Sequence, residues 1–153
     1  MMKCPRCALR LQKVNCQSVN VHCCSECCGI LVGRDRLSRL AVTSRKTIVE
    51  LIQDWEQRQL LPAVERPRCP ECRIVMDAAA SVGRGRFMFA ECRKCQLLWM
   101  DPGDLEVWLI ACLVQDFHRQ ADQVQIQQFD TLLAGMQVDR QSLLIAKIPR
   151  LEE

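Results

Sequence analysis

The sequence predicts an α+β protein in which two small metal-held β-hairpins are each followed by helix and an α-helical extension forms the C-terminal part. Three observations support this prediction. Four Cys-x-x-Cys pairs occur in two similar sets, short stretches near them alternate apolar and polar residues, and longer stretches carry apolar residues at helical spacing. A period of two residues is typical of strands, whereas spacings of three and four residues are typical of amphipathic helices.

The cysteine pairs have the spacing of metal ligands. In each set, two Cys-x-x-Cys pairs are separated by sixteen or nineteen residues. This arrangement is typical of zinc sites with four thiolate ligands, and a closed set of four cysteines leaves no position for a reacting water. The sequence therefore predicts two structural Zn²⁺ sites per chain. Their ligands are Cys4, Cys7, Cys24 and Cys27 in the first site, and Cys69, Cys72, Cys92 and Cys95 in the second.

Spacing alone leaves the ligand choice open within residues 23–28, which contain four cysteines. Cys24 and Cys27 have two residues between them, whereas Cys23 with Cys27, or Cys24 with Cys28, would have three. Aligning the two sets places Cys23 on Glu91 and Cys28 on Gln96. Glutamate and glutamine are not the usual ligands of structural zinc, so the alignment favours Cys24 and Cys27.

Four cysteines lie outside the predicted sites: Cys16, Cys23, Cys28 and Cys112. The favoured interpretation is that they are small buried or exposed thiols, and Cys112 lies in an apolar helix where packing explains it. A thiol-redox role for Cys23 or Cys28 is the alternative. His22, beside the cysteine cluster, is a minor candidate ligand.

The chain is divided into four predicted segments. Residues 1–40 form the first zinc ribbon, 41–66 a helix and linker, 67–101 the second zinc ribbon, and 102–153 a helical C-terminal region. Strands are predicted around Leu9–Leu11 and Val19–Val21, and at Ile74–Ala78 and Arg86–Ala90, with a glycine-rich turn at 81–85. Because each hairpin is too small for a stable core of its own, the metal is expected to contribute directly to folding.

Helix is predicted over 34–61, with a break near Thr43 and a second start capped by Thr47 and Glu50. Asp101 is predicted to cap a helix from Pro102 to about residue 120. That helix is apolar over most of its girth, so it must be covered on more than one side. Residues 121–153 are mostly helix-forming, and 61–68 is a proline-bracketed linker.

The residues after the last cysteine resemble a known family. Cys95-Gln96-Leu97-Leu98-Trp99-Met100-Asp101-Pro102-Gly103-Asp104-Leu105, and more loosely Cys27 to Leu37, are similar to the bacterial zinc-ribbon family named after the zinc ribbon of transcription factor IIB. The resemblance implies two tandem ribbons and a link to transcription. It implies no enzymatic reaction. The glycine that the family has after the fourth ligand is Cys28 in one copy and Gln96 in the other. A positive φ there would cost a non-glycine residue about 1 kcal/mol.

The charge distribution bears on partners. The formal net charge is +3. Eight thiolates remove eight charges and two Zn²⁺ add four, so it becomes −1 with metal bound. Residues 1–46 are basic and 96–153 acidic, and the basic first ribbon makes a nucleic-acid-binding regulator one alternative. Nucleic acid is not favoured, because the chain has no Tyr and few aromatic residues for base stacking.

The sequence favours a non-enzymatic zinc-binding protein that acts as an interaction or adaptor module, since it contains no recognisable catalytic constellation. A protein partner or self-association through the apolar helices is expected, and a zinc or thiol redox sensor is the second alternative. The N-terminus has no apolar signal core, which predicts a cytoplasmic protein. The apolar run Val107 to Val114 is too short to span a membrane.

Overall fold

The structure, a computed structural model, describes residues 2–16, 18–43, 46–58, 66–82, 87–136 and 138–145. Within these ranges the fold is α+β, as predicted. The strands are β1 (Gln12–Cys16), β2 (Val19–Cys23), β3 (Ile30–Gly33), β4 (Asp77–Val82), β5 (Phe87–Cys92) and β6 (Leu97–Met100). The helices are α1 (Arg34–Thr43), α2 (Ile48–Arg58), α3 (Asp104–Phe117), α4 (Gln123–Ala134) and α5 (Arg140–Ile145).

The strands of the described chain form one sheet of six, in the order β1-β2-β3-β6-β5-β4. All neighbouring strands are antiparallel. Residues 2–33, the first half, supply the first three strands, and residues 66–100, the second half, supply the other three. The two halves therefore share a continuous sheet, because β3 pairs directly with β6.

The register between β3 and β6 joins equivalent positions of the two halves. Leu31 lies opposite Trp99, and these residues also coincide when Cys24 is aligned with Cys92. The flanking pairs are Ile30 with Met100 and Val32 with Leu98. The central pairing thus has the geometry of a two-fold interface, in which each strand presents the same positions to the other.

The sheet separates two apolar cores, because side chains alternate between its faces. The helices cover one face, where Val21, Val32 and Met100 belong to the larger core. Leu31 and Trp99 point to the other face and pack with the cysteine groups and with Leu11, Met76 and Ala90. The Leu31–Trp99 pair lies at the centre of this second core and is almost completely buried.

The helical break predicted near Thr43 is confirmed, since α1 ends there and α2 begins at Ile48. Thr47 and Glu50 form the predicted reciprocal cap: the Glu50 N–H donates to Thr47 Oγ1 at 3.1 Å and the Thr47 N–H donates to Glu50 Oε2 at 3.2 Å. The all-round apolar character of α3 is explained by its neighbours, because α2, α5 and β5 all pack on it.

The start of α3 differs from the prediction. The helix begins at Asp104, and Gly103, with φ of 94°, occupies the N-cap position without a side-chain cap. Asp101 is therefore not the cap. Its backbone carbonyl accepts from the Asp104 N–H at 3.0 Å. Its carboxylate accepts hydrogen bonds from Arg6 and Trp99. The turn at Pro102 and Gly103 moves the helix start by two residues.

Two predicted strands are shifted, for a common reason. Residues near Leu11 and Met76 pair back to the segment before each Cys-x-x-Cys instead of joining the sheet. The Leu11 N–H donates to the Met2 carbonyl at 2.9 Å, and the Met76 N–H to the Pro67 carbonyl at 2.8 Å. Strands β1 and β4 begin directly afterwards. The predicted linker at 61–68, the turn at 81–85 and the C-terminal end lie partly outside the described residues.

The turns at the cysteine pairs need left-handed backbone, and non-glycine residues supply it. Ala8, Cys28, Arg73 and Gln96 have φ values of 61°, 62°, 70° and 56°. Each follows the second cysteine of a Cys-x-x-Cys turn directly. Cys28 and Gln96 therefore bear the conformational cost that a non-glycine residue meets at a positive φ.

We expect Cys28→Gly to raise the free energy of unfolding by about 1 kcal/mol, because glycine adopts this φ without strain. The Cys28 side chain is exposed, so little packing is lost. The measurement is urea unfolding of the metal-loaded protein. Cys28→Ala is the matched control: it removes the same thiol but keeps the Cβ, and equal stabilisation by both variants would contradict the explanation.

Candidate metal centres

The first thiol group joins two turns of the first half. Cys4 and Cys7 lie on the turn before β1, and Cys24 and Cys27 on the turn between β2 and β3. All four Sγ atoms lie within 4.8 Å of one another, and the Cys4 and Cys27 Sγ atoms are 3.7 Å apart. The hairpin of β1 and β2 brings the two turns together, because it reverses the chain between them. This group can hold a metal ion.

The second thiol group repeats this arrangement in the second half. Cys69 and Cys72 precede β4, and Cys92 and Cys95 lie between β5 and β6. Their Sγ atoms also lie within 4.8 Å of one another, with 3.6 Å between those of Cys72 and Cys92. The structure therefore brings all eight predicted ligands together in the two predicted sets of four. Each Cys-x-x-Cys turn, at residues 4–7, 24–27, 69–72 and 92–95, is a knuckle.

Backbone amides in the knuckles point at the sulfur atoms. The Arg6 and Cys7 N–H groups both donate to Cys4 Sγ at 3.3 Å. At two of the other knuckles, the Gly29 N–H donates to Cys27 Sγ and the Cys95 N–H to Cys92 Sγ, each at 3.4 Å. Hydrogen bonds from amides favour a charged sulfur, so the turns are built to stabilise thiolates.

The thiol pKa values indicate that each group needs a cation before all four of its thiols can ionise. Burial raises the pKa of Cys69 and Cys27, and raises that of Cys95 to about 12. The Ile74 N–H, in contrast, lowers the pKa of Cys72 to about 7. Four thiols at this separation cannot all ionise without a cation, since like charges repel. A bound metal would supply that compensation and displace the protons.

The remaining cysteines take no part in either group. Cys23, the last residue of β2, shares the side of Val21, which faces the helices. Cys28 is exposed, Cys16 is partly buried, and Cys112 is buried in the helix-side core. His22 is also outside the two groups. Its pKa is lowered by burial and by the nearby charges of Lys13 and Arg36.

An unpredicted group of polar side chains adjoins the first site. Arg6, between two of its cysteines, donates from Nη2 to Asp101 Oδ1 at 2.8 Å, and Trp99 Nε1 donates to the same oxygen at 3.3 Å. The Asp101 N–H donates to Asp104 Oδ2 at 3.1 Å. These residues connect the first knuckle to the start of α3. Sequence reasoning missed the connection because Arg6 and Asp101 are 95 positions apart and carry no common local pattern.

Asp104 is buried beside a second carboxylate. Burial and, after it, the charge of Asp101 raise the pKa of Asp104 to about 8. The Asp101 N–H and the Arg6 charge act in the opposite direction. The folded protein therefore holds a proton on Asp104 that the unfolded chain releases near its ordinary pKa.

Comparison of the chain with models of known protein families, with curated proteins and with solved structures found no match. Among the residues that the structure describes, no helix has both the length and the apolar character needed to cross a bilayer.

We expect Asp104→Asn to be more stable than the wild type by an amount that grows with pH up to about pH 8. The folded state binds a proton that the unfolded state has lost, so wild-type stability falls as pH rises, by roughly 1 kcal/mol per pH unit at most. Asparagine carries no charge to bury. The measurement is urea unfolding at pH 6.0, 7.0 and 8.0.

The exposed Glu26→Gln variant controls for the change in net charge. A stability difference between wild type and Asp104→Asn that stays constant over this pH range would contradict the assignment.

Proposed function

We propose that this chain is a non-enzymatic zinc-binding protein with two structural four-cysteine sites, which serves as a protein-interaction or adaptor module. The observation that carries the proposal is the pair of four-thiol groups, each closed by its own protein ligands. A closed set of four cysteines holds a metal for its structural effect, since no coordination position remains for a substrate or water.

Zinc is the metal that this donor set favours. Four thiolates at 2.3 Å from a tetrahedral Zn²⁺ have sulfur–sulfur separations of about 3.8 Å. The separations of 3.7 Å between Cys4 and Cys27 and of 3.6 Å between Cys72 and Cys92 fit that geometry. Hard cations such as Mg²⁺ and Ca²⁺ prefer oxygen ligands, and these sites offer sulfur.

We also propose that each half is a zinc ribbon of the kind that the sequence resembles. Each half has two knuckles, a β-hairpin and a third strand leading toward helix. Left-handed backbone after Cys27 and Cys95 supports this view, because the family has glycine there. The link to transcription that the resemblance implies remains an expectation.

Helix α4 supports an interaction role. Of its twelve residues only Leu133 is buried, although the helix also carries Val124, Ile126, Phe129 and Leu132. Val124 is 61% exposed, and Phe117, at the end of α3, is 48% exposed. Phe117 is the last residue of α3 and Val124 the second residue of α4, so these exposed apolar side chains flank one helix junction and are available to contact another protein.

We expect the protein, purified under reducing conditions without added metal, to contain two zinc ions per chain by elemental analysis. We expect Cys7→Ser and Cys72→Ser each to lose the ion of its own site. Acidification from pH 7.5 to pH 5 should release zinc, because protons compete for the thiolates. A folded wild-type protein that contains no zinc would overturn the proposal.

We expect the double variant Phe117→Lys, Val124→Lys to abolish association with a second copy or another protein, because it places charge on the exposed apolar junction. Sedimentation measures self-association, and affinity capture with identification by mass spectrometry measures partner binding. Val49→Lys is the matched control, since Val49 is 47% exposed on α2. A monomeric wild type that captures the same proteins as the double variant would contradict the adaptor role.

A further inference from the structure

The second half of the chain contacts the backbone of the first metal site. The Trp99 ring lies against Gly29, two residues beyond Cys27. A Cβ on Gly29 would come within 2.4 Å of Trp99 Cζ2 and 3.4 Å of Cys27 Sγ. Only a residue without a side chain allows the indole to lie so close to the knuckle. The position of the knuckle at residues 24–27 and the position of the Trp99 ring therefore depend on each other.

The other knuckle of the first site is held by a buried ion pair. The Arg6 and Asp101 side chains are only 17% and 9% exposed. The Asp101 oxygen that accepts from Arg6 also accepts from Trp99, so both contacts converge on one atom. Asp101 immediately follows β6 and hydrogen-bonds to Asp104 at the start of α3. A continuous chain of contacts thus runs from the first site to α3.

The equivalent positions at the second site cannot form this connection. Under the alignment of the halves, Arg6 corresponds to Glu71, Asp101 to Gly33, and Trp99 to Leu31. Glycine has no carboxylate, and leucine has no donor. The first half does reach the second site, through the Arg34 N–H bonded to the Gln96 carbonyl at 2.9 Å and through the Arg34–Glu91 ion pair. Arg34, however, is about half exposed, and solvent weakens such a pair.

We propose that the first metal site is energetically coupled to the second half of the protein through Arg6, Asp101 and Trp99. When the first site loses its metal, the knuckles that hold Arg6 and Gly29 lose their fixed geometry. Asp101 then loses a buried charge partner, which loosens the start of α3 and weakens metal binding at the second site. This inference rests on the proposed zinc-binding function.

Thermodynamic linkage makes the coupling reciprocal. If an ion at the first site strengthens binding at the second, an ion at the second site strengthens binding at the first by the same factor. Coupling between two sites in a protein is typically between about 5-fold and 150-fold, and we take about tenfold here. For two otherwise equal sites, tenfold coupling lowers the share of chains with one ion at half saturation from about one half to about one quarter. A substitution of Arg6 should raise the population of chains with one ion, and it alters none of the cysteine ligands.

The test is native mass spectrometry of the full-length protein during titration with a zinc chelator. We expect the wild type to pass from two zinc ions to none with a small one-zinc population. Arg6→Gln should reduce the coupling about tenfold, and its one-zinc species should accumulate. Glu71→Gln is the matched control, because Glu71 occupies the same position in the second site; its profile should equal that of the wild type.

A second measurement does not depend on metal release. In the fully zinc-loaded proteins, hydrogen exchange of amides 104–109 should be faster in Arg6→Gln than in Glu71→Gln. Asp101→Asn, which keeps the size of the side chain and its acceptor oxygen, provides a milder variant if Arg6→Gln folds poorly. It should also raise the one-zinc population.

The outcomes separate the two proposals. Equal one-zinc populations and equal exchange in wild type, Arg6→Gln, Asp101→Asn and Glu71→Gln would overturn the coupling, while two ions in each would leave the zinc-binding function standing. A wild type without zinc would overturn the function itself. An equal effect of Arg6→Gln and Glu71→Gln, which remove charges of opposite sign, would assign the change to any disturbance of a knuckle and overturn the role of Asp101.

Discussion

The pairing of β3 with β6 is the constraint on which the rest of the structure depends. Each half alone contributes only a three-stranded piece of the sheet. Joined at Leu31 and Trp99, the halves form one surface wide enough for helices on one face and for the two thiol groups on the other. α3 can be apolar around most of its girth because this combined sheet, α2 and α5 enclose it. The fold of the helical layer therefore follows from a contact between the two cysteine-containing halves.

The second core combines apolar packing with the two thiol groups that could hold metal ions. Its apolar members, Leu11, Leu31, Met76, Ala90 and Trp99, are few, and cysteines complete it. Without a metal, thiols whose pKa is raised by burial, such as those of Cys27 and Cys69, would stay protonated in the centre of this layer. A metal ion, if bound, would replace that arrangement with a rigid, hydrogen-bonded unit. Small layers of this size gain much of their stability from such cross-links, because too little apolar area is removed from water.

Much of the local structure could be predicted from the sequence, and the long-range arrangement could not. The eight clustered cysteines and the cap at Thr47 follow from spacing and short motifs. The predicted start of α3 was wrong. Aspartate is a common N-cap residue, but the Asp101 carboxylate accepts hydrogen bonds from Arg6 and Trp99 instead. The β3–β6 register and the charge pair across 95 positions depend on how the halves meet. No pattern confined to a few neighbouring residues contains that information.

The near two-fold register at Leu31 and Trp99 has a consequence for how the protein can vary. In a homodimer built on the same pairing, every substitution would appear on both sides of the axis, and a favourable contact would have to suit both at once. A single chain has no such restriction. One side can carry an indole where the other carries leucine, and a carboxylate where the other has glycine, while covalent linkage keeps the effective concentration of the halves high. The single chain thus keeps a nearly symmetric interface, while its two sides can carry chemically different side chains.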